Sequence, residues 1–185
     1  MPVDTEFALI KEKYAKEIEG ILARFPTKKS AVLPLMHLAQ REYGYMSQEA
    51  MREVAGILDL DPTHVLSLSG FYSLYYEEPQ GKYVLEICND LACALRGADE
   101  FVEMATNKLG IPVDGTTADG LFTIKTVMCL GACDRAPMLQ CNLKFEENLD
   151  EGKFELLLSR LRSEAETGGE GTAVAPKIAS YAVKK

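Results

Sequence analysis

Apolar residues in the first part of the chain recur every three or four positions, with charged residues between them. This spacing is typical of amphipathic helices. Proline, glycine and small polar residues stand where such helices would begin or end. The predicted helices cover residues 7–25 (capped by Asp4 or Thr5 and ended by Pro26), 30–43 (ended by Gly44), a segment from Ser47 to Leu58, and a segment from Asp61–Pro62 to Gly70. We therefore expect a helical bundle as an N-terminal domain, residues 1–78.

The pattern changes near Pro79–Gln80–Gly81, which we interpret as a hinge. Beyond it, alternating positions predict strands, and turn-forming pairs such as Asp119–Gly120 separate them. The predicted elements are a strand at 83–87, a helix at 98–109, a strand at 121–127, two short strands at 138–141 and 143–145, and a helix at 150–162. This order is that of a thioredoxin-like core, predicted as a second domain over residues 81–165. Residues 166–185 lose the periodic leucines and are expected to be a flexible tail. The fold class predicted is α+β.

Charge and hydropathy exclude several kinds of partner. The net charge is −8, and acidic chains are poor ligands for nucleic acid. No apolar run reaches the roughly 18 residues that a membrane helix needs, so direct membrane insertion is not expected. The first 20 residues do not have the pattern of a secretory signal, which favours a cytosolic protein with reduced thiols.

Four of the five cysteines form two closely spaced pairs. Cys88 and Cys93 enclose four residues, and Cys129 and Cys133 enclose three. Each pair follows a predicted strand. Because strands of one sheet can end at the same edge, the two loops could gather four thiolates.

Four thiolates suit a tetrahedral zinc ion or an iron–sulfur cluster. Zinc knuckles most often have two residues between paired cysteines, whereas these loops are wider and unequal. A [2Fe–2S] cluster needs two ligands on each iron, and two separate pairs supply them. The spacing favours this cluster over zinc, with a disulfide or uninvolved thiols as further alternatives. A thioredoxin-type thiol oxidoreductase is disfavoured because the chain has no CxxC.

Residues near the second pair bear on the same site. Gly131 would let the backbone turn tightly around a metal centre. Pro137 either follows a cis peptide bond or is an ordinary loop proline. Cys141, in a predicted strand, is expected to be a structural core residue rather than a ligand.

Taken together, these motifs resemble a known family. The C-x4-C pair, about 35 residues, the C-x3-C pair and the segment DGLFTIKTVMCLGACDRAPM are similar to the [2Fe–2S] subunit of respiratory complex I, NADH:quinone oxidoreductase. The segments FYSLYYEEPQGKY and REYGYMS add to the resemblance, which covers about residues 5–162.

The resemblance implies a thioredoxin-like [2Fe–2S] ferredoxin domain in which Cys88, Cys93, Cys129 and Cys133 bind one cluster. It implies that FMN and the NADH site lie on a partner flavoprotein subunit, with which the cluster exchanges an electron. Other peripheral-arm subunits are further expected partners. The location implied is the cytoplasmic side of the inner membrane, or the matrix side in a mitochondrion.

Alternatives to complex I remain open. The corresponding diaphorase subunit of an NAD(P)-linked hydrogenase or formate dehydrogenase would use a similar chain, and a zinc-stabilised interaction module would lack redox activity. Asp90 departs from the small hydroxyl residues often found in the first cysteine loop of the family. Its carboxylate either lowers the potential of the cluster or is a solvated loop residue.

Overall fold

The computed structural model describes residues 9–167. Within this range the chain divides into two compact units, one ending at Pro79 and the other beginning at Gln80. Each unit has its own buried apolar core. Among the helices in this range, none combines the length and the apolar character needed to cross a bilayer.

The described part of the first unit is helical. Its helices are α1 (Leu9–Lys13), α2 (Ala15–Leu22), α3 (Val32–Tyr43), α4 (Gln48–Leu58) and α5 (Pro62–Ser69), with a 3-10 turn at Lys28–Ala31. Three of the predicted termini are confirmed. The Ser47 hydroxyl accepts a hydrogen bond from Ala50 N, and Asp61 accepts one from Thr63 N (3.2 and 2.8 Å). Gly44 ends α3 at a φ of +82°, a conformation that glycine adopts without steric cost.

The first predicted helix is wrong in one respect, because it is two helices. The backbone leaves helical geometry at Tyr14 (φ −120°, ψ 27°). The Tyr14 hydroxyl donates to Glu42 at 2.7 Å, and the Arg41 guanidinium lies 5.0 Å from the ring centre. These tertiary contacts override the local periodicity. The second of the two helices ends at Leu22, earlier than Pro26, and the proposed caps Asp4 and Thr5 lie outside the described residues.

Two buried polar side chains join segments of this unit. Gln40 donates to Leu74 O and accepts from Tyr76 N, both at 2.8 Å, and so ties the segment after α5 to α3. Glu53 accepts hydrogen bonds from Lys11 N and from the Tyr43 hydroxyl, at 2.9 and 2.8 Å. Burying a polar group without partners is costly, so these paired groups specify how the helices meet.

The second unit contains a four-stranded sheet. Its elements are β1 (Tyr83–Cys88), α6 (Leu91–Ala94), α7 (Ala98–Leu109), β2 (Phe122–Val127), β3 (Leu139–Cys141), β4 (Lys144–Glu146) and α8 (Glu151–Glu166). The strand order is β2-β1-β3-β4, with β1 and β2 parallel and the other neighbours antiparallel. The predicted α+β class and thioredoxin-like order are confirmed.

Helices α7 and α8 supply the core that supports the sheet. Phe101 of α7 meets Phe154 of α8 edge to face, with ring centres 5.4 Å apart. Both rings belong to one buried cluster with Leu85 and Ile87 of β1 and Ile124 of β2. Helix α8 extends to Glu166, one turn beyond the predicted end at residue 162, and so reaches the first residue of the predicted tail at 166–185. The remainder of that tail lies outside the described residues.

Candidate metal centre

Two parallel strands bring the cysteine loops to one edge of the sheet. Cys88, the last residue of β1, lies opposite Val127, the last residue of β2. The backbone N–H of Asn89 donates to Val127 O at 3.2 Å, which keeps the chains together as they leave the sheet. The loops after the two strands therefore emerge side by side, as the sequence predicts.

The first loop places its two thiols in the interior. Cys88 is fixed by strand pairing, and its N–H donates to Met138 O at 3.2 Å. Cys93 lies on α6, a single helical turn that Asp90 caps by accepting from Leu91 N at 2.9 Å. Both cysteines are 1% exposed. Helix α6 was not predicted, although an aspartate cap followed by Leu, Ala, Cys and Ala was a usable signal.

The second loop is open to solvent. Cys129 is exposed and Cys133 is half-buried. Gly131 lies between them at a φ of +79°, with nothing near the position of a Cβ, so the conformation rather than space calls for glycine. Cys133 begins a 3-10 turn that returns the chain towards the sheet.

Small and apolar side chains enclose the inner thiols. Ala136 and Met138 are buried in one cluster with Cys88, Cys93 and Ala98. The Ala136–Pro137 peptide bond is cis, as hypothesised. The buried side chains of Ala136 and Met138 shield one side of the site from water.

Burial and neighbouring thiols both raise pKa values at the site. Burial, together with the adjacent Cys88 thiol, raises the pKa of Cys93 to about 12. The neighbouring Cys129 thiol raises the pKa of Cys133. Metal ions that bind these two thiols would displace their protons, because a thiol that coordinates a metal does so as the thiolate.

The arrangement of the sulfurs favours one class of metal group. Cys129 Sγ and Cys133 Sγ are 3.8 Å apart. Two thiolates at ~2.3 Å from one tetrahedral metal stand about 3.8 Å apart, so this pair fits one metal ion. Across residues 9–167, no group of three or more histidine, cysteine, aspartate or glutamate side chains is placed close enough together to hold a metal ion. Two thiol pairs on adjacent loops fit a group with two metal ions and two ligands on each.

The other residues considered for the site have separate roles. Cys141 is 5% exposed in the core cluster of the second unit, and burial raises the pKa of its thiol to about 12. It is a structural side chain, as expected. Asp90 is a helix cap, a role that was not predicted from the sequence.

One further residue at the site was missed. Arg96 Nε donates to Ala136 O at 3.3 Å and so links the first cysteine loop to the second. Nothing in the local pattern around Arg96 marks it out, because its partner lies 40 residues away.

The fold and the site define the class of protein: a thioredoxin-like domain with two pairs of thiols in the loops at the carboxyl ends of its parallel strands. Residues 18–162 match the family described as thioredoxin-like [2Fe–2S] ferredoxin. The chain belongs to this family and carries a [2Fe–2S] cluster.

Individual relatives agree with this assignment. A NADH-quinone oxidoreductase subunit of Rhizobium meliloti is 38% identical over 87% of this chain and 96% of its own length. A second one, from Thermus thermophilus, is 37% identical over 79% of this chain and 82% of its own length. A third, from Mycobacterium tuberculosis, is 36% identical over 81% of this chain, which spans 58% of that longer relative.

A solved structure shows the same fold in another assembly. An NAD⁺-reducing [NiFe]-hydrogenase in its air-oxidised state superposes with a TM-score of 0.62 over 76% of this chain and 25% of the hydrogenase chain. The two are 18% identical, so this likeness concerns the fold alone.

Proposed function

We propose that the chain is an electron-transfer subunit of NADH:quinone oxidoreductase, with its cluster held by Cys88, Cys93, Cys129 and Cys133. The observation that carries the proposal is the long match to subunits of that complex, which extends over 96% of the Rhizobium meliloti relative. The two pairs of thiols at one edge of the sheet support the ligand assignment.

When bound, a [2Fe–2S] cluster accepts and gives up one electron at a time. The protein's part is to hold, orient and shield it. Cys88 and Cys93 anchor the inner side of the site, where Ala136 and Met138 exclude water. Cys129 and Cys133 form the outer side, where a redox partner can approach closely.

The partner we propose is a flavoprotein subunit that carries FMN and oxidises NADH. Further peripheral-arm subunits would complete the assembly. The chain would then be a peripheral subunit on the cytoplasmic side of the inner membrane, or on the matrix side in a mitochondrion. A hydrogenase or formate dehydrogenase assembly is the alternative, and the structural likeness to the hydrogenase does not favour it because only the fold is shared.

The first test is chemical analysis of the anaerobically purified full-length chain. We expect two irons and two acid-labile sulfides per chain and an S = 1/2 EPR signal after reduction. Stoichiometric zinc without an EPR signal would instead indicate a zinc-stabilised interaction module. Isolation of the native complex then separates the assemblies, because quinone reduction and nickel content differ between them.

The ligand assignment is tested by single substitutions. Cys88→Ser, Cys93→Ser, Cys129→Ser and Cys133→Ser should each lose the cluster or change its EPR spectrum. Cys141→Ser is the matched control, because Cys141 lies in the core cluster of the second unit. This variant should contain the same iron and sulfide as wild type. A normal cluster in any of the first four variants would remove that residue from the ligand set.

A further inference from the structure

Arg96 connects the two cysteine loops. It lies three residues after Cys93, and its backbone N–H donates to Cys93 O at 3.0 Å. Its side chain reaches across to Ala136 O at 3.3 Å. Ala136 lies three residues after Cys133. One hydrogen bond, made by a residue exposed to solvent, therefore joins the segments that follow the two thiol pairs.

The turn that carries Cys93 is anchored by the burial of Cys93 beside Ala98, Ala136 and Met138, and its own backbone hydrogen bonds are local. Cys88 is held by hydrogen bonds to its neighbours in the sheet, but α6 contains only four residues and lies outside the sheet. Leu91 and Leu95, at either end of this turn, are 73% and 80% exposed. Cys93 is the buried residue of α6, so little apolar area keeps the turn in place.

We propose that Arg96 is a positioning residue of the cluster site: its hydrogen bond to Ala136 O holds Cys93 against the second cysteine loop. The proposal rests on the ligand assignment made above. Loss of the hydrogen bond lets α6 open more often, which exposes the Cys93 side of the site to water and to chelators. The cluster should then lose iron faster, and the geometry at the iron that Cys93 ligates should be less uniform.

Three substitutions separate the hydrogen bond from the charge. Arg96→Met keeps an unbranched side chain that reaches as far as the position of Nε, but it has neither donor nor charge. Arg96→Gln places an amide nitrogen at the same distance along the side chain as Nε, so it retains a donor without the charge. Arg96→Lys keeps the charge but moves its nitrogen one atom further out.

The measurement is the rate of iron release to a ferrous chelator from the full-length, cluster-loaded chain under anaerobic reducing conditions. We expect Arg96→Met to release iron about fivefold faster, the factor that corresponds to about 1 kcal/mol for one hydrogen bond. Arg96→Gln should stay close to the wild-type rate. The EPR lines of Arg96→Met should also broaden or shift, which a loss of general stability would not cause.

Two results would overturn the proposal. One is an unchanged release rate in Arg96→Met. The other is a rapid rate in Arg96→Gln together with a wild-type rate in Arg96→Lys, which would assign the effect to charge. If Arg96→Met cannot be isolated with a cluster but Arg96→Gln can, the proposal is supported. A wild-type chain without iron and sulfide would overturn the proposed function, and the role of Arg96 with it. A cluster-loaded wild type with an unchanged release rate in Arg96→Met would overturn only the role of Arg96.

Discussion

Asp90 combines two effects that can be separated experimentally. Its carboxylate caps α6 by accepting from Leu91 N, and its charge lies three residues from the proposed ligand Cys93. A negative charge near the cluster favours the oxidised state and lowers the midpoint potential. Asparagine caps a helix about as well as aspartate, so Asp90→Asn removes the charge and retains the hydrogen bond.

We expect Asp90→Asn to raise the midpoint potential in an EPR-monitored redox titration. The shift should be tens of millivolts, since about 1 kcal/mol corresponds to about 40 mV for one electron. Asp90→Ala is the companion variant, which should show a similar shift and in addition lower the thermal stability. An unchanged potential in Asp90→Asn would mean that the residue acts as a cap alone.

The buried Cys141 thiol should make the free energy of unfolding decrease at alkaline pH. Burial raises the pKa of its thiol from an ordinary value of 9.0 to about 12. Above pH 9 the unfolded chain gives up this proton while the folded chain keeps it, so the stabilisation is lost as pH rises towards 12. Cys141→Val removes this contribution and enlarges the buried side chain by about one methyl group.

Urea unfolding at pH 8 and pH 10.5 measures the effect. Between these pH values wild type should lose about 2 kcal/mol more of its free energy of unfolding than Cys141→Val does. At pH 8 the variant should be less stable than wild type by about 1–3 kcal/mol, because its larger side chain must fit the same buried site. Parallel losses in both proteins would show that the alkaline decrease comes from other groups.

Among the elements, α8 is capped at its N-terminus by Asp150 and packs through its apolar face. Asp150 accepts a hydrogen bond from Lys153 N at 2.8 Å. Asp150→Ala should lower the free energy of unfolding by about 1 kcal/mol, whereas Asp150→Asn should lower it by only a few tenths. Denaturant titration followed by circular dichroism distinguishes them, and equal stability of all three proteins would contradict a capping role.

The elements also show where sequence patterns are sufficient. Helix ends marked by Ser47, Asp61 and Gly44 were predictable because capping is a local interaction. The break at Tyr14 was not, because it accompanies contacts with Glu42 and Arg41, far away in sequence. Local periodicity carries no information about such partners.

The same distinction holds at the metal centre. Spacing alone paired Cys129 with Cys133, and predicted strands placed both loops at one edge, because these features follow from short-range geometry. Neither the unequal burial of the two pairs nor the Arg96 contact was predictable. Both depend on how Ala136 and Met138 fold back beside the first loop.

At the scale of the whole molecule, two separate cores suggest two separable tasks. The unit from Gln80 onwards contains all five cysteines and the sheet. Removal of residues 1–79 should therefore leave the visible and EPR spectra of the cluster largely intact. Residues 1–79 contain none of the five cysteines, and we expect this unit to bind the flavoprotein partner.

Co-purification tests this division of tasks. The truncated chain should lose its partner subunit while the full-length chain retains it. A truncated chain without a cluster would show that the second unit depends on the first, and a truncated chain that still binds its partner would place the interface elsewhere.

The two thiol pairs differ in solvent exposure, so the site has a buried inner side and an exposed outer side. Cys88 and Cys93 lie at the bottom of the site behind buried side chains, whereas Cys129 stands in solvent. A scaffold or carrier that delivers the cluster would therefore meet the second loop first, and the inner cysteines would be the last to bind. Peroxide would also reach the second loop first. The exposed side of the site would therefore be both the side at which the cluster is inserted and the side at which oxidative damage begins.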